Sequence, residues 1–213
     1  SGFPICYGER GIASGWLCSR EKLSDDILLF QGGTATNQIP DQASITLRAT
    51  PSGLEKAIKT DYVRLSQKED TLVITAHGKA GHIATAQNAV NAIGVLMKYL
   101  LKYDLLENHS DRIIFQQAES MVNSPCGKIF QLSQNEALAN DVRYGCGIAK
   151  TEDGFLKFSF NARCPVALNE GDVLQKIQEY AAANGFAAEE TRVLPSNYFP
   201  KDRPVIQILH QVF

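Results

Sequence analysis

The chain has 213 residues, 44% of them hydrophobic and 21% charged, which is enough for one large domain or two small ones with a proper core. A formal net charge of −2 and a pI near 6.1 exclude the basic excess that a nucleic-acid footprint needs. The longest uncharged stretch, residues 80–97, carries His82, Gln87, Asn88 and Asn91, so it reads as an amphipathic helix and not as a membrane span.

In chain order, residues 1–43 are rich in glycine and short apolar runs, which predicts short strands or irregular structure around Gly8, Gly11 and Gly15. "SITLRAT" (44–50) alternates as a strand does, and Pro51 with Ser52 opens a short helix to about Lys59. "DYVRLS" and "TLVITA" predict two strands joined by the polar turn 67–70. Apolar residues Ala86, Val90, Ile93, Met97, Leu100 and Leu101 recur near a 3.6-residue period and predict a long helix directly after His82. Residues 104–143 are less regular, with a strand expected near 113–116 inside a long connection. "YGCGIAK" and "FLKFSFNAR" flank Asp153-Gly154, a hairpin signal. Asn169 caps a predicted helix that has Glu170 and Asp172 in its first turn, and Asn184-Gly185 stops it. A last strand is expected over 189–194, and Pro204 opens a final helix that the chain end interrupts. With Ser1 in place of a methionine, this predicts a piece of a longer protein.

"TLRATP" and "FNARCP" rhyme: each is a strand ending in Arg, followed by Pro and a helix. The predicted fold is therefore α+β, with two ferredoxin-like sandwich units of antiparallel sheet plus helices. The first would span about 1–140, the second about 141–200, and 201–213 would lead away from them.

The five cysteines form no C-x-x-C pair, and nothing at the N-terminus has the form of a secretory signal. Reduced thiols in a cytoplasmic protein are the expectation. No H-E-x-x-H, G-x-S-x-G or P-loop is present. What remains is a set of hydrogen-bond donors. His82 beside a helix N-terminus would stay neutral and donate one N–H, polarising a carbonyl without acting as a base; alternatively the local backbone satisfies it. Asn37 in "GGTATNQIP" offers an amide to an oxyanion or carboxylate, or is a turn asparagine. Arg163 offers a guanidinium fork to a carboxylate, or is a surface arginine. Arg48 is its weaker counterpart. No metal-binding residue is expected in this chain.

Together these segments resemble the aminoacylase/carboxypeptidase-G family of zinc peptidases. "GKAGHIATAQNAVNAI" is similar to that family's G-x-x-(A/G)-H…N-A-(I/V) segment, "GGTATNQIPDQASI" to its G-G…N-x-(I/V)-P segment, and "FNARCPVALNEGDVL" to its strand-ending R-x-P segment. "FPICYGERG" resembles the stretch after a metal-binding aspartate. The Asn segment precedes the His segment and the Arg segment comes last, an order that resembles the peptidase-V-like dipeptidases with their enlarged lid domain. In that family a separate catalytic domain holds the metal ions through an H-x-D motif and a Glu-Glu pair.

The resemblance implies a lid domain. His82 would stabilise the tetrahedral intermediate, and Asn37 and Arg163 would hold the C-terminal carboxylate of a short peptide or that intermediate. A catalytic domain of the same chain would hold two divalent metal ions (zinc, with manganese or cobalt as alternatives), and this piece alone would be inactive and without cofactor. The full-length protein would be a cytoplasmic monomer, while the piece can self-associate through surface normally covered. No nucleic acid or membrane partner is expected. The competing reading is a non-catalytic dimerisation or small-ligand-binding regulatory module.

Overall fold

The computed structural model describes residues 8–85, 88–124, 129–132, 143–164 and 169–212. The strands in chain order are β1 (Gly8–Glu9), β2 (Gly11–Ser19), β3 (Ile27–Gly32), β4 (Gln38–Ile39), β5 (Gln42–Arg48), β6 (Val63–Lys68), β7 (Thr71–His77), β8 (Gly81–His82), β9 (Arg143–Gly145), β10 (Ala149–Glu152), β11 (Phe155–Cys164), β12 (Phe186–Leu194) and β13 (Asn197–Tyr198). The α-helices are α1 (Pro51–Lys56), α2 (Ala92–Lys102), α3 (His109–Val122), α4 (Glu170–Ala183) and α5 (Pro204–Val212).

The fold is mixed α+β and is dominated by one antiparallel sheet. Its order is β12-β2-β11-β10-β3-β5-β7-β6, with β9 added against β11. The sheet runs without a break across both halves. Ala149 pairs with Gly32 and Lys150 with Gln31, so β10 and β3 join the halves in one continuous surface. The strand β2 lies between β11 and β12, far in sequence from both.

One face of the sheet carries the helices. From β11, Phe158, Phe160, Ala162 and Cys164 point to that side and are buried, as the period of two requires. Phe160 meets Phe130 edge-on at 5.1 Å, Phe130 meets Tyr180 of α4 at 5.4 Å, and Phe158 meets Phe186 at 5.4 Å. In the other half, Phe30 meets Phe115 of α3 at 5.5 Å. Each such ring contributes about 1.5–3 kcal/mol by leaving water, so the helical layer holds the sheet flat against it. Around Lys157 the opposite face carries charged residues instead. There Lys157 pairs with Glu189 at 2.8 Å and with Glu152 at 3.0 Å, and Glu152 also pairs with Lys150.

Several expected elements form as read. Asp153 and Gly154 both take positive φ (52° and 84°), the primed turn that joins β10 to β11. Asn169 accepts from the Gly171 N–H at 2.8 Å and starts α4, while Gly185 at φ 75° follows its end. Two expectations are corrected. The strand expected near 113–116 is the middle of α3. Asn108 caps that helix, and Ile114, Phe115, Ala118, Met121 and Val122 bury one helical stripe. The long helix expected directly after His82 begins at Ala92, because the Asn91 side chain accepts from the Ile93 N–H at 3.0 Å and sets the start there. Val90, which completed the apolar pattern, is exposed and pairs with Lys79 instead.

Candidate functional site

Two short segments fold back on each other at one end of the sheet. The strands β4 and β8 pair antiparallel, with Gln38 opposite His82 and Ile39 opposite Gly81. The Ile83 N–H donates to the Asn37 carbonyl at 3.1 Å, which extends the pairing by one step. A mutual backbone pair between Lys79 and Val90, 2.9 Å each way, closes the base of the excursion that carries His82. The Ala92 N–H donates to the Pro40 carbonyl at 3.0 Å, and the Asn91 amide donates to the Cys146 carbonyl at 2.8 Å. The ribbon is thus tied both to the start of α2 and to the β9–β10 link.

Apolar contact seats the ribbon on the sheet. Gly145 stands opposite Asn161 in the β9–β11 register, and a Cβ there would come within 2.7 Å of Ile83 Cγ1 and 2.8 Å of Ile39 Cδ1. Ile39 and Ile83 are both buried. Side chains directly opposite each other share a face, so the two isoleucines lie on the Asn161 side of the sheet, away from the phenylalanines and α4. Beside the ribbon an open depression of about 430 Å³ is lined by Gln31, Thr34, Gln38, Asp41, Gln42 and Ser44, among others. One of its walls requires glycine: Gly33 has φ 71°, and a Cβ on it would fall 1.9 Å from the Gly147 carbonyl oxygen.

His82 is exposed, and its Nδ1 accepts from the Ala84 N–H at 3.2 Å. A ring nitrogen that accepts carries no proton, so this arrangement puts the ring proton on Nε2 as a free donor. The helix dipole has no part in this, because α2 starts well beyond His82. Asn37 is exposed, one step along the same ribbon. Arg163 lies on β11, two residues from Asn161 and so on the same sheet face as Ile39 and Ile83. Its Nε is out of water with no hydrogen-bond partner. The structure therefore holds Asn37, just before β4, and His82, on β8, in one ribbon whose isoleucines lie on the sheet face that carries Arg163; among the described residues no hydrogen bond or ion pair joins Arg163 to either.

Sequence reasoning missed Gly145, Asn161 and Arg143. The N-x-R alternation in "FNAR" was the available signal for Asn161, since residues two apart on a strand share a face. Arg143 and Gly145 are placed by long-range pairing, which leaves no local trace.

The zinc ions implied by the family resemblance find no ligand set here: among the described residues no three of His, Cys, Asp and Glu come together. Cys18, Cys146 and Cys164 are free. Burial pushes the thiols of Cys146 and Cys164 up, the latter to about 11, so both stay protonated and unreactive near neutrality. Cys6 and Cys126 lie outside the described residues. Among the described residues no helix is long and apolar enough to cross a membrane.

No family model matches the chain. No curated protein matches it in sequence either. Among solved structures, aminoacylhistidine dipeptidase from Vibrio alginolyticus is similar at a TM-score of 0.38 and 10% identity, over 95% of this chain and 48% of that one. This chain thus spans about half the length of that structure.

Proposed function

We propose that this chain is the substrate-binding lid domain of a metal-dependent dipeptidase that acts on short peptides with a free C-terminal carboxylate. One observation carries the reading. The backbone pairing of β4 with β8 holds Asn37 and His82 on one short ribbon anchored at Gly145, both residues exposed and the His82 Nε2–H available to donate. Two preorganised donors of this kind suit a developing oxyanion better than a ground-state carbonyl. Arg163, on the same sheet face, takes the substrate carboxylate. The segment resemblance supports the assignment of these roles. On this reading the metal ions, the activated water and the general base belong to a separate catalytic domain of the same protein, in the cytoplasm.

The sheet's two halves support the expected pair of related units. In β12-β2-β11-β10 the strands, numbered in chain order, stand 4-1-3-2, as in a ferredoxin-like unit, with α4 crossing between the third and fourth. The other half would be a second unit inserted between the first and second strands. The reading is tested on the intact protein by dipeptide hydrolysis with and without a chelator. Chelator-sensitive hydrolysis that this chain alone lacks is the expected result. An intact protein that cleaves no dipeptide overturns it.

A further inference from the structure

The open depression of about 430 Å³ beside the ribbon has a size usual for a small-molecule site, and the lid reading gives it no role. Three of its polar side chains come from the sheet. Gln31, Gln42 and Ser44 alternate with the buried Phe30, Ala43 and Ile45, so they stand on the face away from the helices, the face that carries the ribbon. Gln31 is opposite Ser44 in the β3–β5 register. The other three, Thr34, Gln38 and Asp41, come from the segment that carries β4. Among the described residues none of these six side chains is hydrogen-bonded or ion-paired within the protein. Asp41 is the single charge: no lysine, arginine or histidine is among the described residues that line the depression. Lys150, opposite Gln31, pairs instead with Glu152 and lies over the Trp16 ring at 5.4 Å. Close backbone packing fixes the wall. A Cβ on Gly147 would fall 2.2 Å from the Ala35 carbonyl oxygen and 2.8 Å from that of Gln38. The buried Ser159 hydroxyl accepts from the Gly147 N–H at 3.3 Å and the Ile148 N–H at 2.9 Å. A backbone held in this way lowers the cost of ordering the site when a ligand binds.

We infer that this depression binds a small molecule with one ammonium group and several hydroxyl or amide groups. Asp41 takes the ammonium in a charge-assisted hydrogen bond. The amides of Gln31, Gln38 and Gln42 offer donors and an acceptor each, and the hydroxyls of Thr34 and Ser44 offer both, so they match neutral groups of either kind on the ligand. A carboxylate or phosphate meets the Asp41 charge with no cation in the lining to offset it, and is rejected. An apolar ligand would take water from six polar side chains and return no hydrogen bond, and is rejected too. The inference goes beyond the lid reading and does not rest on it: neither Asn37, His82 nor Arg163 lines the depression.

The test is calorimetric titration of this chain with three probes that share one polyol chain and differ at one end: glucamine (ammonium), sorbitol (hydroxyl) and gluconate (carboxylate). Glucamine should bind saturably, and sorbitol and gluconate each about tenfold or more weaker, the loss expected for one hydrogen bond to a charged group. Asp41→Asn should weaken glucamine about tenfold and bring it level with sorbitol. The Asp41 side chain is exposed and has no partner in the protein, so this variant keeps the fold. Gln42→Ala, which removes a neutral contact, should weaken glucamine and sorbitol alike. Absence of saturable glucamine binding, equal binding of sorbitol or gluconate, or undiminished binding by Asp41→Asn overturns the site. Glucamine binding as expected, with no dipeptide hydrolysis by the intact protein, keeps the site and removes the dipeptidase reading; hydrolysis without such binding does the reverse.

Discussion

On the lid-domain proposal, His82 and Arg163 act at different moments, and kinetics can separate them. The His82 Nε2–H is free to meet charge that develops only as the carbonyl is attacked. His82→Ala in the intact enzyme should therefore lower kcat by a factor on the order of 10²–10³ with little change in KM, the usual effect of losing one oxyanion donor. Arg163→Ala should mainly raise KM, because a carboxylate clamp acts on bound substrate and transition state alike. Steady-state kinetics on folded variants read both effects; a near-normal kcat for His82→Ala reduces the histidine to a turn residue. Cys164, next to Arg163, has a separate consequence. Burial raises its folded thiol to about 11 from an ordinary value of 9.0. The folded state therefore holds the proton where the unfolded state has lost it. The associated stability is fully present below about pH 9 and falls as pH rises toward 11. Cys164→Ala should flatten that alkaline decline in a series of thermal melts, and an unchanged slope would show that the thiol does not contribute.

At the scale of elements, Asn91 joins two parts of the site. Its Oδ1 caps α2 through the Ile93 N–H, and its amide holds the Cys146 carbonyl. Removing both in Asn91→Ala should cost about 1–3 kcal/mol, a cap plus one partly buried hydrogen bond. In a chain of this size that lowers Tm by roughly 2–4 °C per kcal/mol. A melt within 1 °C of wild type, where about 2 °C or more is expected, would mean that the ribbon is held by its isoleucines alone. The same residue shows where the sequence was readable. "NAVNAI" contains the cap, but the apolar period running back to Ala86 favoured an earlier start. The helices with a polar cap and a clear stop, such as α4, were legible. The helix α3 was not, because its polar outer face, with Gln116, Gln117 and Glu119, breaks the apolar run into a piece short enough to pass for a strand. For the site, residue types and order pointed to Asn37, His82 and Arg163. The partners that seat or flank them, Gly145, Asn161 and Arg143, come from pairings between distant strands, which local periodicity does not encode.

At the scale of the whole molecule, the continuous sheet bears on assembly. Its halves meet edge to edge at β3 and β10, much as two subunits' sheets can meet across a dimer axis. A chain that already supplies both halves has no need of a second copy to complete the Asn37–His82 ribbon and the Arg163 face together. On the lid-domain proposal the intact protein should therefore sediment as an active monomer at assay concentration, and an obligate dimer would contradict this. The order of strands has a further consequence, in time rather than in space. Ser14 on β2 must find Asn161 on β11 with the entire β3–β7 half and its helices strung between them. Closing so long a loop from a disordered chain is slow. Once β3, β5, β7 and β6 have paired, all within residues 27–77, the tether is no longer a coil but a folded body. Its ends are drawn together where Gly32 meets Ala149. The inserted half then acts as a scaffold for the other's folding, and β2 waits for it.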